Sequence, residues 1–179
     1  MLFPSKQHNK IWQQIGWGSD MRSWYKPKLS IVFWFAAAVW CGALFYFSGQ
    51  DGAESSELSL LVSRLVLRAL PFLSRTAEEL NPILRKAAHF GGFAAEGFLL
   101  GAAMMTALPE PAVGGVLAAL SCAIVAVLNE YHQSFVDGRA CEVKDMLIDS
   151  GGALTGVLLA ALLLLLAFRI ARRRTNVRI

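Results

Sequence analysis

Four long apolar runs dominate the pattern of hydrophobic and polar positions along the chain. Each is close to the roughly 20 mostly apolar residues that a helix needs to cross the hydrocarbon core of a membrane. The runs cover Leu29–Ser48, Ala87–Leu108, Ala112–Leu128 and Met146–Phe168. Their Leu- and Ala-rich composition favours helices over barrel strands, in which apolar and polar positions alternate. The pattern therefore predicts four transmembrane helices.

A shorter apolar stretch, Leu58–Phe72, has a different pattern. Arg64 and Arg68 are four residues apart, so they share one face of a helix whose remaining surface is mainly Leu and Val. The pattern stops at Pro71, which a helix interior does not tolerate. We predict an amphipathic helix that lies on the membrane surface, and a re-entrant segment is the alternative.

The composition changes this picture only by excluding a class of protein. Of the 179 residues, 55% are hydrophobic and 17% are charged, whereas ordinary soluble domains have roughly 45–50% and about 25%. Because the apolar excess falls in long runs, a soluble globular enzyme is excluded. The predicted fold class is an all-α integral membrane protein, with a bundle of four transmembrane helices and one interfacial amphipathic helix.

The Lys and Arg residues are distributed unevenly about the predicted spans. Ten of the 17 precede the first span or follow the fourth, with five at each end of the chain. Cytoplasmic segments of membrane proteins carry the excess of Lys and Arg, so both termini are predicted to be cytoplasmic. The loops Gly49–Lys86 and Asn129–Asp145 then face outward. The net charge of +4 indicates topology, and nucleic acid is not expected as a partner.

Ionisable and amide side chains enter the predicted spans near their outer ends. A charged residue at the bilayer centre costs about 2.5–3.5 kcal/mol on insertion scales, so such residues usually serve a function or pair inside the bundle. In this chain they are Arg85, Lys86, His89, Glu96, Asn129, Glu130, His132, Gln133, Asp145 and Asp149. Glu96 is the deepest of them.

Helical spacing places most of these residues on narrow stripes, because positions three and four apart share a face. The stripe on the second span comprises Arg85, His89, Gly92 and Glu96. The stripe on the fourth comprises Asp145, Asp149, Gly152 and Gly156. Gly-x-x-x-Gly pairs allow close approach of membrane helices. We therefore predict that three helices bring their polar faces together around one wet cavity that opens outward.

Three sequence blocks stand out in and around the predicted spans. They are FSGQ at Phe47–Gln50, LRKAAHF at Leu84–Phe90 and NEYHQSFVDGRACEVKDMLIDSGGALTG at Asn129–Gly156. Together these blocks resemble the VanZ-like family of bacterial membrane proteins. The last block is the most specific of the three, because it combines several polar positions with a Gly-x-x-x-Gly helix. The resemblance covers roughly residues 32–159.

The resemblance implies a small multi-span protein of the bacterial cytoplasmic membrane and cell envelope. The family's founding member is associated with low-level resistance to the glycopeptide teicoplanin. On this basis the chain divides into a cytoplasmic N-terminal anchor (1–28), a VanZ-like membrane domain (29–168) and a basic cytoplasmic tail (169–179). The positions characteristic of the family are Arg85, Lys86, His89, Glu130, Gln133, Gly138, Arg139, Asp145, Gly152 and Gly156.

The chain departs from the family pattern at three positions. Asn129 and Asp137 stand where many relatives carry Asp and Pro, and Gly92 stands where many carry Glu. Glu96 lies one turn deeper than Gly92 on the same face, so the side chain of Glu96 can substitute for the missing carboxylate.

These observations give a first functional hypothesis: the protein is a membrane enzyme or binder for an anionic lipid-linked or cell-wall substrate. Guanidinium groups suit phosphate or diphosphate, and imidazole and carboxylate groups suit proton transfer. The candidate catalytic residues are His89, Glu130 and Asp145. The candidate substrate-binding residues are Arg85, Lys86, Glu96, Gln133, Arg139 and Asp149. Membrane lipids are the expected partners, and the sequence leaves the oligomeric state open.

Other hypotheses remain beside the first. The protein is alternatively a small transporter or flippase, or a non-catalytic envelope factor in which the polar stripes are structural. The carboxylates of Glu130, Asp145 and Asp149 could hold a divalent cation, but no established metal spacing is present, so no cofactor is expected. The three cysteines form no Cys-x-x-Cys pair, and Cys141 as a nucleophile is a further alternative.

Overall fold

Five helices and no strands make up the described part of the chain, which is residues 25–72 and 75–176 of a computed structural model. The helices are α1 (Pro27–Ser48), α2 (Gly52–Ala69), α3 (Ala77–Ala107), α4 (Pro111–Gln133) and α5 (Val143–Asn176). By length and apolar composition, α1, α3, α4 and the part of α5 from Val143 to Ala171 are able to cross a membrane. The prediction of an all-α membrane protein with four spans is therefore confirmed. The part of the predicted N-terminal anchor before residue 25 and the last three residues of the basic tail lie outside the described ranges.

Helix α3 begins ten residues before the predicted second span. The cause is a capping box: the Thr76 hydroxyl accepts a hydrogen bond from Glu79 N at 3.3 Å, and the Glu79 carboxylate accepts one from Thr76 N at 3.2 Å. Such a box satisfies two backbone N–H groups at a helix start. The first turns of α3 therefore extend a polar helical segment beyond the apolar run.

Helix α2 occupies the stretch that the sequence predicts to be amphipathic. It ends at Ala69, before Pro71, as expected for a residue that cannot continue a helix. Its Leu61 and Leu65 side chains are exposed in the chain, and α2 packs mainly against α3. The helix itself is thus observed, and its position at the membrane surface stays a prediction.

Helix α3 is the centre of the bundle, because each of the other four helices packs against it. It runs antiparallel to α1: Lys26 N donates to Thr106 O at 2.8 Å, and Ser30 Oγ donates to Ala103 O at 3.0 Å. Near the other end of α1, Trp40 Nε1 donates to a carbonyl of α3 at 2.8 Å. These bonds fix the register of α1 along α3.

The closest helix contact joins α3 to α5, which run parallel. A Cβ atom on Gly97 would overlap the carbonyl of Ala153, and a Cβ atom on Gly156 would overlap the carbonyl of Ala94. Gly152 likewise faces a backbone carbonyl of α3. The small residues therefore act as the Gly-x-x-x-Gly pattern predicts, by letting the two backbones touch.

The outer surface of the bundle is apolar. Four large apolar side chains are at least 60% exposed: Phe35 (73%), Val116 (60%), Ile124 (61%) and Leu158 (61%). Contiguous apolar surface of this kind marks a membrane or protein contact. The interior is built mostly from small side chains, with Phe93 as its largest apolar member.

Candidate functional site

Polar side chains collect at the end of the bundle where α1 and α4 finish and where α3 and α5 approach each other. His89 of α3, Glu130 of α4 and Asp149 of α5 each offer one nitrogen or oxygen atom, and these atoms lie within 4.8 Å of one another. We call these residues the three-residue cluster. Glu130 and Asp149 are 1% and 0% exposed. The structure thus brings polar faces of three helices together, as the stripes predict.

The imidazole of His89 contacts Asp149. His89 Nδ1 lies 3.4 Å from Oδ1 and 3.5 Å from Oδ2 of Asp149. Both distances exceed the roughly 2.7–3.2 Å of a normal N–H···O hydrogen bond. The two side chains are therefore close neighbours without a short hydrogen bond between them.

Asp145 lies one helical turn before Asp149 and has a different partner. Its carboxylate forms an ion pair with Lys86 at the partly exposed rim of the site. Exposed pairs of this kind contribute about 0–1 kcal/mol to stability. The structure therefore places Asp149, rather than Asp145, beside His89, and the catalytic role assigned to Asp145 stays a prediction.

Glu130 is held by the loop that follows α4. Its Oε2 atom accepts a hydrogen bond from the backbone N of Glu142 at 3.1 Å. Its Oε1 atom is buried and has no hydrogen-bond partner among the described residues. Asn129 and Gln133 are buried beside it in the last turn of α4. The loop contact could not be predicted from the sequence, because it uses a backbone group and not a side chain.

Arg139 is positioned by a turn in the same loop. Gly138 has a φ of 72°, a left-handed conformation that glycine adopts without strain, and Arg139 N donates to Val136 O at 3.1 Å. The Nε and Nη1 atoms of Arg139 are buried without a hydrogen-bond partner within the described ranges. Burial, and then the nearby Arg85 guanidinium, lower the pKa of Arg139. An anion at this position would relieve both effects.

Two cavities of about 330 Å³ each open beside these residues. The polar cavity is lined by α3, the end of α4, the following loop and the start of α5, and its wall includes Lys86, Gln133 and Asp145. The apolar cavity lies between α1, α2 and α3, and its wall includes Trp40, Leu44, Phe47, Val62 and Phe93. The residues shared by both walls are Arg85, His89 and Arg139.

Glu96 is buried in α3, two turns beyond His89, and belongs to neither cavity wall. Its Oε2 atom has no hydrogen-bond partner in residues 25–72 and 75–176. A Cβ atom on Gly92 would lie 2.9 Å from Leu44 Cδ2, so a larger residue at that position would require the Leu44 side chain to shift. Glu96 lies outside the three-residue cluster, and its substrate-binding role stays a prediction.

Sequence reasoning missed the apolar cavity. Its walls come partly from α1, which is apolar on all sides, so no periodicity distinguishes a residue that faces lipid from one that lines a cavity. One signal was present: Phe47, Ser48 and Gln50 of the FSGQ block all line this cavity. This uncharged block, which is part of the family resemblance, was therefore a sequence signal for the wall of the cavity.

Four apolar helices and a buried polar cluster at one end define a polytopic helical membrane protein with a pocket open to one side. A sequence model of the VanZ/LLP1 family matches residues 33–165 of the chain, and the chain therefore belongs to that family. The matched range contains all nine candidate site residues. No curated protein and no solved structure matches the chain.

Proposed function

We propose that the protein binds an anionic amphiphile, namely a phosphate-bearing lipid or lipid-linked precursor of the bacterial cell envelope. The observation that carries the proposal is the pair of adjoining cavities, one polar and one apolar, that share Arg85, His89 and Arg139. A head group in the polar cavity and a hydrocarbon chain in the apolar cavity would meet at these three side chains.

The head-group class follows from the unused donors at the junction. Arg139 has two buried nitrogen atoms, Nε and Nη1, without partners in the described structure, and Arg85 lies close enough to lower the pKa of Arg139. Two guanidinium groups that face one space favour phosphate, which accepts several hydrogen bonds from the planar fork of each. Gln133 adds a buried amide nitrogen with no partner among the described residues.

The tail class follows from the second cavity. Trp40, Phe47 and Val62 offer aromatic and aliphatic surface, and each buried CH₂ group contributes about 0.8 kcal/mol to binding. Free phosphate would use only half of this site. Proton transfer by His89, Glu130 and Asp145 on the bound molecule stays a prediction beside the binding proposal.

A transporter or flippase is the second hypothesis from the sequence, and it requires a polar path from one side of the membrane to the other. Both cavities are lined by residues from one end of the bundle. This favours a binder or enzyme over a transporter. A non-catalytic envelope factor is separated from an enzyme by whether the bound lipid is altered.

Lipid retention tests the proposal directly. The purified full chain, reconstituted in detergent, is offered a polyprenyl phosphate, the corresponding neutral polyprenol, phosphatidylethanolamine and inorganic phosphate, and retention is read by native mass spectrometry. We expect the polyprenyl phosphate to be retained in competition with all three others, because only it combines a net anionic phosphate head group with a hydrocarbon chain. Equal retention of the neutral polyprenol would contradict the phosphate assignment, and displacement by inorganic phosphate would contradict the use of the apolar cavity.

We also propose that the chain lies in the bacterial inner membrane with both termini cytoplasmic, so that the site faces outward. The support is the excess of Lys and Arg in the terminal segments. Cys141 is exposed in the loop at the polar end, whereas Cys122 is buried.

Labelling of Cys141 tests this orientation. In a chain with Cys41→Ala and Cys122→Ala, we expect a membrane-impermeant maleimide to label Cys141 in intact spheroplasts. A Lys26→Cys variant of the Cys-free chain is the matched control, because Lys26 lies at the opposite end, and it should react only after lysis. The reverse pattern would invert the topology.

A further inference from the structure

The three-residue cluster has a geometry that its own hydrogen bonds do not explain. The atoms offered by His89, Glu130 and Asp149 lie within 4.8 Å of one another, and the closest imidazole–carboxylate separation is 3.4 Å. Two ligand atoms that each lie about 2.1 Å from a tetrahedral metal ion are about 3.4 Å apart. The spacing is therefore too long for a normal hydrogen bond and matches two ligands of one ion.

Burial of the two carboxylates supports the same interpretation. Glu130 and Asp149 are 1% and 0% exposed, and taking a carboxylate out of water costs several kcal/mol unless a partner compensates. Glu130 Oε1 is buried without a hydrogen-bond partner in the described part of the chain. The nearby Lys86 ammonium forms its ion pair with Asp145 instead. A cation between the carboxylates would occupy the unused oxygen.

We propose that His89, Glu130 and Asp149 bind one divalent transition-metal ion, of the class of Mn²⁺ or Zn²⁺, at the edge of the polar cavity. The donor set decides the class: imidazole nitrogen suits Zn²⁺ and its neighbours, carboxylate oxygen also suits Mn²⁺, and Mg²⁺ and Ca²⁺ prefer oxygen ligands alone. The set differs from the carboxylate trio that the sequence suggested, because His89 replaces Asp145.

The sequence contains no recognisable form of this site. Its ligands come from three different helices, at positions 89, 130 and 149, so no short motif such as His-x-x-x-His predicts the site. Only the packing of α3 against α4 and α5 brings the three side chains together. The signal lies in the tertiary structure and not in a motif.

An ion here would also act on the proposed ligand. Three protein ligands leave coordination positions open, and His89 lines the polar cavity beside Arg85 and Arg139. A phosphate oxygen in that cavity could complete the coordination, and the ion would then act as a Lewis acid on the phosphoryl group. This role of the ion rests on the proposed function, whereas the metal site itself does not.

Metal titration of the purified full chain tests the site. The chain is stripped with EDTA and desalted. One sample is titrated with Mn²⁺, and electron paramagnetic resonance distinguishes free from bound ion. A second sample is titrated with Zn²⁺, and elemental mass spectrometry measures the bound metal. We expect one ion per chain. Glu130→Gln and Asp149→Asn should each weaken binding by about 10- to 100-fold or more, since even an outer-shell partner of a metal ligand is worth that much.

Two measurements guard against variants that fail to fold. Nitrogen modulation in the pulsed spectrum of the Mn²⁺-loaded wild-type chain should report a bound imidazole, and it should disappear in His89→Ala. Glu96→Gln is the matched control for the two carboxylate variants, because it likewise replaces a buried carboxylate by an amide. Glu96 lies on α3 outside the cluster, so this variant should keep the wild-type affinity for the metal. Absence of stoichiometric metal, or equal loss of affinity in Glu96→Gln, would overturn the proposal.

The metal proposal and the lipid proposal fail separately. If the chain retains polyprenyl phosphate but no metal, the metal site is wrong and the proposed function stands. If it binds metal but no polyprenyl phosphate, the reverse holds. If the chain binds both metal and lipid, EDTA should weaken retention of the lipid in the wild-type chain and leave it unchanged in Asp149→Asn. An equal effect of EDTA on the wild-type chain and on Asp149→Asn would contradict the proposed link between the ion and the phosphate.

Discussion

Gly156→Ala is expected to destabilise the bundle by about 3 kcal/mol or more, at the upper end of what overpacking a core costs. The added methyl group would overlap the carbonyl oxygen of Ala94 and lie 2.6 Å from Phe98 N. Both are backbone atoms of α3, which cannot rotate away as a side chain would. The measurement is unfolding of the detergent-solubilised chain in denaturant, followed by circular dichroism.

Gly91→Ala is the matched control for this substitution. A Cβ atom on Gly91 meets nothing within 4 Å, and alanine is favoured over glycine in a helix by up to about 1 kcal/mol. We expect Gly91→Ala to be neutral or slightly stabilising. Equal unfolding curves for the two variants would show that α3 and α5 do not touch at Gly156.

The same substitution should affect the site as well as stability. His89 lies on α3 and Asp149 on α5, so their separation depends on the close approach that the glycines allow. The fraction of Gly156→Ala that remains folded should therefore bind metal more weakly than the wild-type chain, although no metal ligand has been changed.

Arg139→Ala is expected to lower the affinity for a polyprenyl phosphate by about 30-fold or more, which corresponds to about 2 kcal/mol. The physical reason is the loss of two buried donor nitrogens from the junction of the cavities. The affinity of Arg139→Lys should fall between those of the wild-type chain and Arg139→Ala, because lysine keeps the charge but not the planar fork of the guanidinium. Affinity is measured by titration of the lipid into the purified chain.

Lys144→Ala is the control for charge alone. Lys144 is exposed near the start of α5 and belongs to neither cavity wall, so its loss should leave the affinity for the lipid unchanged.

In cells, His89→Ala, Glu130→Ala and Arg139→Ala should each abolish any glycopeptide tolerance that the protein confers, while membrane insertion stays normal. A wild-type response from all three would place function elsewhere in the chain.

The helices were predictable because their signals are local. Apolar runs identify the spans, and Thr76 with Glu79 has the T-x-x-E spacing of a capping box, which would have placed the start of α3 correctly. The prediction placed that start at Ala87 because it considered only the residues that enter lipid. The end of α2 before Pro71 follows from the same local chemistry.

The candidate residues were also predictable, but their partners were not. The stripe rule placed His89 and Asp149 on inward-facing sides of their helices, yet it placed Asp145 and Glu96 there equally well. In the structure Asp149 is the residue that meets His89. Asp145 pairs with Lys86 in the wall of the polar cavity, and Glu96 is buried outside the three-residue cluster. Helical periodicity gives the face of a residue and leaves its depth relative to a neighbouring helix undetermined.

By itself, the sequence determined that this is a four-span helical membrane protein with polar residues gathered near one end, because span length and helix face depend only on nearby residues. The tertiary structure decided which of those residues meet. The register of α5 along α3 is set by glycines against backbone carbonyls, and a shift of one turn would exchange Asp149 for Asp145 beside His89. The loop that brings Arg139 to the cavities depends on Gly138 and on the Glu142–Glu130 hydrogen bond, which join segments that sequence spacing alone cannot align.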